Sequence, residues 1–403
     1  MRYFVCKLLF YYLSVMFNNR LNKIVIIFHY KNLSQSIGSG NKTYELRFTK
    51  LIDIILLIFY SASLSFGEAY LKGNVSIKGG LDKFIFAIDK NFENQVRFSF
   101  FSTLRYLVNL ISQKLRRNSL SKSIGNVRVH YDQDPEFYKL FLDSSMQYSC
   151  AYFSNNNMSI EEAQYKKKDH ISKKLLLNSS LKVLDIGCGW GGLSLFIAKN
   201  YGCFCHGITL SINQLNMARD IAKAENLNNL LEYSDTDYRN LNNKYDRIVS
   251  IGMFEHVGLK NYDQFFNKVS TCLKSDGIAL IHTIGRIRGP GATDPFLSKY
   301  IFPGGYIPSL SEILPSIEKN NLIITDIEFL HLHYATTLNK WREKFFKKSS
   351  FIKKKYGKNY MRMWEYYLII SESAFRTNHM TVFQIQLAKK PSSIPSNRDY
   401  IYK

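Results

Sequence analysis

Residues 184–194 read LDIGCGWGGLS, and the reading of the fold starts from them. Val183, Leu184 and Ile186 form the apolar end of a short strand, with Asp185 at its edge. Gly187, Gly189, Gly191 and Gly192 then make a tight turn, and LSLFIAKNYG (193–202) reads as the helix that follows. Glycines let a backbone approach a ligand closely, and a helix start offers free N–H groups. Such a turn suits a nucleotide-like cofactor lying across the carboxyl end of a parallel sheet.

The same glycines fit G-x-G-x-x-G, so a dinucleotide has to be weighed. That site wants an acid at the end of the next strand, about 20 residues on, for a ribose hydroxyl. The next strand, CFCHGITLS (203–211), ends instead in Thr209, Leu210 and Ser211. An acid just before the glycines, with a G-x-G-x-G spacing, fits S-adenosylmethionine better.

Working outward, strands are expected near 181–187, 203–209, 230–234, 245–251, 278–285, 323–334 and 380–389. Helices are expected near 160–177, 191–201, 211–226, 261–274 and 311–320. This alternation predicts an α/β fold with a doubly wound, Rossmann-like parallel sheet. The Gly- and Pro-rich segment 286–310 reads as a long insertion of the kind that forms lids. A helical block is expected over 336–375. Upstream, residues 36–117 mix strand and helix signals and read as a smaller α+β domain. The polar, basic stretch LISQKLRRNSLSKSIGN (110–126) reads as a linker, which opens the catalytic domain, 118–403. Residues 1–35 are aromatic and basic and receive no fold assignment.

The 403 residues suffice for two domains. Lys plus Arg number 54 against 32 Asp plus Glu, a net charge of +22 that attracts phosphate-rich surfaces, either nucleic acid or anionic lipid. Six scattered cysteines without a CxxC pair read as free thiols in a reducing compartment, and no metal site is expected. The apolar run 54–66 is shorter than the roughly 20 residues a membrane span needs.

Five further strings sit where strands end or the core begins: SSMQYSCAYF (144–153), GITLSINQ (207–214), DTDYRNL (235–241), SIGMFEHVG (250–258) and LIHTIG (280–285). In a parallel sheet all carboxyl ends share one edge, so these distant strings converge on one crevice.

MQYSCAYF, VLDIGCGWGGL, GMFEHVGLKNYD, HTIG, KYIFPGGYIPS and FGEAYLKG together resemble the cyclopropane-fatty-acyl-phospholipid synthases, from about residue 36 to 390. The related mycolic-acid enzymes lack the small N-terminal domain that SLSFGEAYLKG (63–73) indicates here. The resemblance implies methylene transfer from S-adenosylmethionine to a cis double bond in a membrane phospholipid, with a bound bicarbonate ion as base. It implies that Cys150, Glu255, His282, the backbone at Ile284, and Tyr334 hold that anion, His282 and Cys150 as donors. It places Tyr148 and Ser149 over the methionine end, Asp185, Gly187, Gly189 and Gly191 in the turn, and Thr209, Leu210, Ser211 and Gln214 near the ribose. Asp237, Tyr238 and Arg239 would flank adenine, with Tyr238 stacking. Unsaturated phospholipid at the inner membrane face is the implied partner of a cytoplasmic, peripheral protein. The N-terminal domain would serve membrane docking or homodimer formation. The lysines of 340–362 would meet anionic headgroups.

The sequence departs from the family at HYDQDPEF (130–137), which lacks a glycine, and at Ser371, where a cysteine is common. A methyltransferase making a 10-methyl acyl chain would share the cofactor turn. A nucleic-acid-modifying enzyme would need a substrate motif such as a Pro-Cys or NPPY-like string, which the sequence lacks.

Overall fold

The computed structural model describes residues 2–17, 21–92, 134–155, 157–377 and 379–402. The linker read at 110–126, the domain boundary near 118 and the start of the 130–137 loop lie outside the described residues. Two compact units are present. The smaller comprises Met1–Asn109, Thr293–Ile301 and Phe345–Asn378, and the larger holds the remainder.

The smaller unit begins with α1 (Arg2–Phe17), β1 (Ile24–Tyr30), β2 (Leu33–Ile37) and β3 (Lys42–Phe48), followed by α2 (Leu51–Phe59), α3 (Ala62–Leu71), β4 (Val75–Lys78) and α4 (Leu81–Phe92). Its sheet runs β2-β1-β3-β4. Residues 1–35, unassigned from sequence, thus contribute a helix and the central strand β1. The reason is visible in IVIIFHY, whose alternate residues are buried, as a half-covered strand requires.

In the larger unit come α5 (Pro135–Lys139), α6 (Ile160–Lys174), β5 (Lys182–Ile186), α7 (Gly192–Tyr201), β6 (Phe204–Thr209), α8 (Ile212–Ala224), β7 (Leu231–Asp235), β8 (Tyr245–Ile251), α9 (Tyr262–Cys272) and β9 (Leu273–Arg286). There follow α10 (Pro295–Tyr300, smaller unit), α11 (Leu310–Lys319), β10 (Ile323–Phe329), α12 (His333–Lys347), then α13 (Ser349–Tyr356) and α14 (Lys358–Arg376) in the smaller unit, and β11 (Met380–Ala388). The sheet order is β10-β11-β9-β8-β5-β6-β7. β5 through β9 pair in parallel, whereas β11 lies antiparallel between β9 and β10. The doubly wound expectation therefore holds for five strands and is modified at one edge. Successive residues feed opposite layers. Leu184, Ile248 and Ile281 pack with Phe265 and Phe266, while Val183, Val249 and Leu280 pack with Leu193 and Phe196.

One expectation changes. The strand read over 323–334 stops at Phe329, and Tyr334 sits in the first turn of α12. The insertion read at 286–310 carries a short helix, α10. Within the smaller unit, Gly67 of α3 lies so close to α10 that a Cβ there would stand 2.5 Å from Phe296. Glu68 accepts hydrogen bonds from Lys299 and from Tyr300, so FGEAYLKG and KYIFPGG are two halves of one contact.

Candidate active site

The crevice opens at the carboxyl ends of β5, β6, β7 and β8. Asp185 is buried at the end of β5, and Ser194 Oγ in α7 donates to its Oδ2 at 2.7 Å. Burial pushes the Asp185 carboxyl up to about 6, against the pull of Ser194 and Lys167. Gly187, Gly189 and Gly191 all have positive φ (+82°, +57° and +79°). A Cβ on Gly191 would lie 2.6 Å from Tyr233 Oη, whereas one on Gly189 or Gly252 would meet nothing within 4 Å. Those two glycines face the open cleft.

The cleft is lined by Tyr148, Ser149, Asp185, Gly187, Gly189, Thr209, Leu210, Gln214, Asp237, Tyr238 and Arg239. Gly191 and Ser211 stand behind it. Gly191 caps α7, and Ser211 caps α8 by accepting from Gln214 N. Thr209 Oγ1 donates to Gln214 Oε1 at 3.0 Å, which turns the Gln214 amide nitrogen into the donor a ligand would find. Arg239 donates to both carboxylate oxygens of Asp237, at 2.8 and 2.7 Å, and its guanidinium lies over the Tyr238 ring. Tyr238 packs edge-on against Phe265.

Sequence reasoning missed Gln147, Trp190, Thr236, Met253 and His256, which also line the cleft. Trp190 sits inside the glycine turn, and its position between Gly189 and Gly191 was the available signal. Its indole N–H is buried without a partner among the described residues. An unsatisfied donor and two Cβ-sized vacancies fit a polar ligand that the backbone must approach closely. Burial holds His256 down to about 4, so it is a neutral imidazole.

At the far end the five predicted anion-holding residues form two groups. Glu255, in the turn after β8, accepts from Ile284 N at 2.7 Å, and His282 is two residues away on β9. That bond occupies the Ile284 N–H, one of the two backbone groups at the position that the resemblance assigns to an anion. Glu255 Oε2 is buried with no partner among the described residues. Burial pushes Glu255 up to about 7, opposed by its hydrogen bonds to Ile284 and Thr283. His282 is driven well below its usual range by burial and by the charges of Lys167 and Lys174, and its Nδ1 lies 3.2 Å from Gln384 Nε2. In the second group, Ala151 N donates to Thr337 Oγ1 of α12, one turn from Tyr334. Burial pushes the Cys150 thiol far up, so it is not a thiolate. Tyr334 packs edge-on against Trp341, which stacks on Tyr148 at 5.3 Å. Lys167 acts electrostatically on both Cys150 and His282.

This geometry can be compared with known proteins. The mycolic acid cyclopropane synthetase family profile matches residues 118–385. The chain belongs to this cyclopropane synthase family. It is an enzyme of that methyltransferase class. The chain is 38% identical to the cyclopropane-fatty-acyl-phospholipid synthase of Escherichia coli K12 over 356 residues, 87% of this chain and 89% of that one. Among solved structures, the cyclopropane synthase MmaA2 from Mycobacterium tuberculosis superimposes with a TM-score of 0.63 at 32% identity, covering 66% of this chain and 98% of that one. The mycolic acid cyclopropane synthase CmaA1, solved with SAH and CTAB, gives 0.62 at 31%, covering 66% and 97%.

Proposed function

We propose that this cyclopropane synthase family member is a cyclopropane-fatty-acyl-phospholipid synthase. In that reaction the methyl of S-adenosylmethionine goes to a cis double bond of an unsaturated phospholipid chain. One methyl proton then leaves, and the ring closes as that C–H electron pair fills the neighbouring cationic carbon. When bound, S-adenosylmethionine supplies the electrophilic methyl and bicarbonate a weak base.

The observation that carries the reading is Glu255, a buried carboxyl pushed up to about 7 with one oxygen unpartnered among the described residues, held to the strand that carries the neutral His282 imidazole. An alkene is a poor nucleophile, so the site must be dry and preorganised. A cationic carbon must meet aromatic faces and a weak base rather than a strong competing nucleophile. The corner meets both needs. Protonated Glu255 and neutral His282 are donors suited to a small oxyanion, the Cys150 S–H donates to Ala151 O at 3.3 Å and would have to turn from it to join them, and the nearby Lys167 charge favours an anion electrostatically. Tyr334 presents a ring. On the cofactor side, Gln214 and Asp237 would hold ribose and adenine, and Tyr148 with Ser149 would cover the methionine end.

Peripheral attachment to an anionic membrane completes the reading. No helix among the described residues is long and apolar enough to cross a membrane. In the smaller unit, α1 exposes Tyr3, Phe4, Leu8, Tyr11 and Val15, and α2 exposes Ile52, Leu56 and Phe59. Tyr12 and Phe59 stack between the two helices. Lys347, Lys348, Lys353, Lys354, Lys355 and Lys358 are all exposed around Phe351. Each cation near an anionic surface contributes about 1 kcal/mol.

Lipid mass spectrometry tests this in a host that lacks cyclopropane lipids. Expression should convert unsaturated chains to products heavier by one CH2 that contain the three-membered ring. A methyl-branched product at the same position would overturn the ring-closing step.

A further inference from the structure

Behind the cleft stands a buried cation whose hydrogen bonds go neither to the glycine turn nor to the anion corner. Lys167 of α6 is 0% exposed. Its Nζ donates to Gln147 Oε1 at 2.5 Å and to Ser149 Oγ at 3.0 Å. Both acceptors are uncharged oxygens. Burying an ammonium against neutral groups is costly, and an apolar side chain would fill the same space more cheaply. Burial holds Lys167 down to about 7; Asp143, Cys150 and Asp185 pull it up and Lys168 pushes it down.

The same helix face carries two more anchors. Gln164 Nε2 donates to Ser149 O at 2.9 Å, and Lys168 Nζ donates to Ser145 Oγ at 2.9 Å. Residues 164, 167 and 168 share one side of a helix. The hydrogen bonds of all three side chains end on Ser145–Ser149, whose Met146, Gln147, Tyr148 and Ser149 form one wall of the cleft. That wall bends at Met146, a non-glycine residue at φ +55°. A backbone in this region persists only where its surroundings hold it.

We propose that Lys167 is a positioning residue for the cofactor: by donating to Gln147 and Ser149 it holds the Met146–Ser149 wall in the shape that binds S-adenosylmethionine. The proposal rests on the reading of this cleft as the S-adenosylmethionine site. Lys167 also stands at the junction of the two ends of the cleft, since Ser149 belongs to the cofactor wall and Cys150, the next residue, to the corner.

The test is binding of S-adenosylhomocysteine to the full chain, followed by calorimetry and by ligand-induced thermal shift. Lys167→Met keeps length and removes the donors. It should weaken binding about tenfold, raise the cofactor KM in parallel, lower kcat less, and shrink the ligand-induced shift. Lys166→Met, exposed on the opposite face of α6, should leave all four values as in the wild type. A folded Lys167→Met variant that binds within twofold of wild type overturns the proposal. So does one whose free form melts lower while its ligand-induced shift is unaltered, which is the signature of a purely structural lysine. If Lys167→Met does not fold, Gln147→Met removes the closer acceptor instead, and unaltered binding there overturns the proposal equally. A wild-type protein that binds no S-adenosylhomocysteine overturns the cofactor reading and this proposal together. Binding without cyclopropane product touches only the lipid reading.

Discussion

The two ends of the cleft are built on opposite principles. Around the glycine turn, the acids and the amide are satisfied by neighbours, Asp185 by Ser194, Gln214 by Thr209 and Asp237 by Arg239, and the Trp190 indole N–H is the group left open. At the corner, Glu255 keeps one buried oxygen without a partner, and His282 and Cys150 are forced into their neutral forms. The first end is a preformed mould. The second holds groups at a cost in stability so that a ligand can satisfy them. Mutations should therefore separate the two ends, affinity and folding on one side and turnover on the other.

The largest expected effect is at the corner. Glu255→Gln should lower turnover about 100-fold, the scale of a lost acid–base group. Affinity for S-adenosylhomocysteine should change less than threefold. An equal loss of both would break the contrast.

The pH profile comes next. With Glu255 titrating at about 7, donation from its protonated form fades above that pH. Turnover should fall about tenfold per pH unit beyond the inflection. The folded protein holds a proton there that the unfolded chain releases near 4.5. This contribution to stability is therefore complete below pH 4.5 and is lost as pH rises through 7. Glu255→Gln should flatten that slope in urea titrations, so a slope unchanged by the substitution would assign the ionisation elsewhere.

On the mould side, Gln214→Ala should weaken S-adenosylhomocysteine binding about tenfold, the loss of one hydrogen bond to the ligand. Its effect on kcat should be small, and kinetics at saturating cofactor will check this. The smallest effect is Ser194→Ala, which leaves a buried carboxylate oxygen unsatisfied and should cost about 1 kcal/mol of stability by denaturant titration.

The mould was legible because its chemistry is local. Glycine spacing, the acid before it and the strand-end residues all lie within a few positions of the elements they serve. Cys150, Glu255, His282 and Tyr334 are picked out only by resemblance, since nothing local distinguishes a glutamate that meets a ligand from one that caps a helix. Tyr334 was placed on a strand because HLHYATTL continues an apolar run. The chain instead turns after Phe329 and starts α12, bringing Tyr334 against Trp341. The antiparallel β11 could not be read because strand direction leaves no mark on side-chain alternation. Lys167 escaped notice because a lysine on a helix reads as solvated, and only the fold shows this one enclosed. Residues 1–35 were passed over although IVIIFHY alternates as a strand should.

The cysteines carry a practical consequence. All six are free, and all six are buried. Reagents that alkylate sulfur should find nothing to modify while the chain is folded, and each opening event should be recorded by the first thiol it uncovers. Timed labelling with mass readout would then measure how often each part of the protein opens, without an added probe.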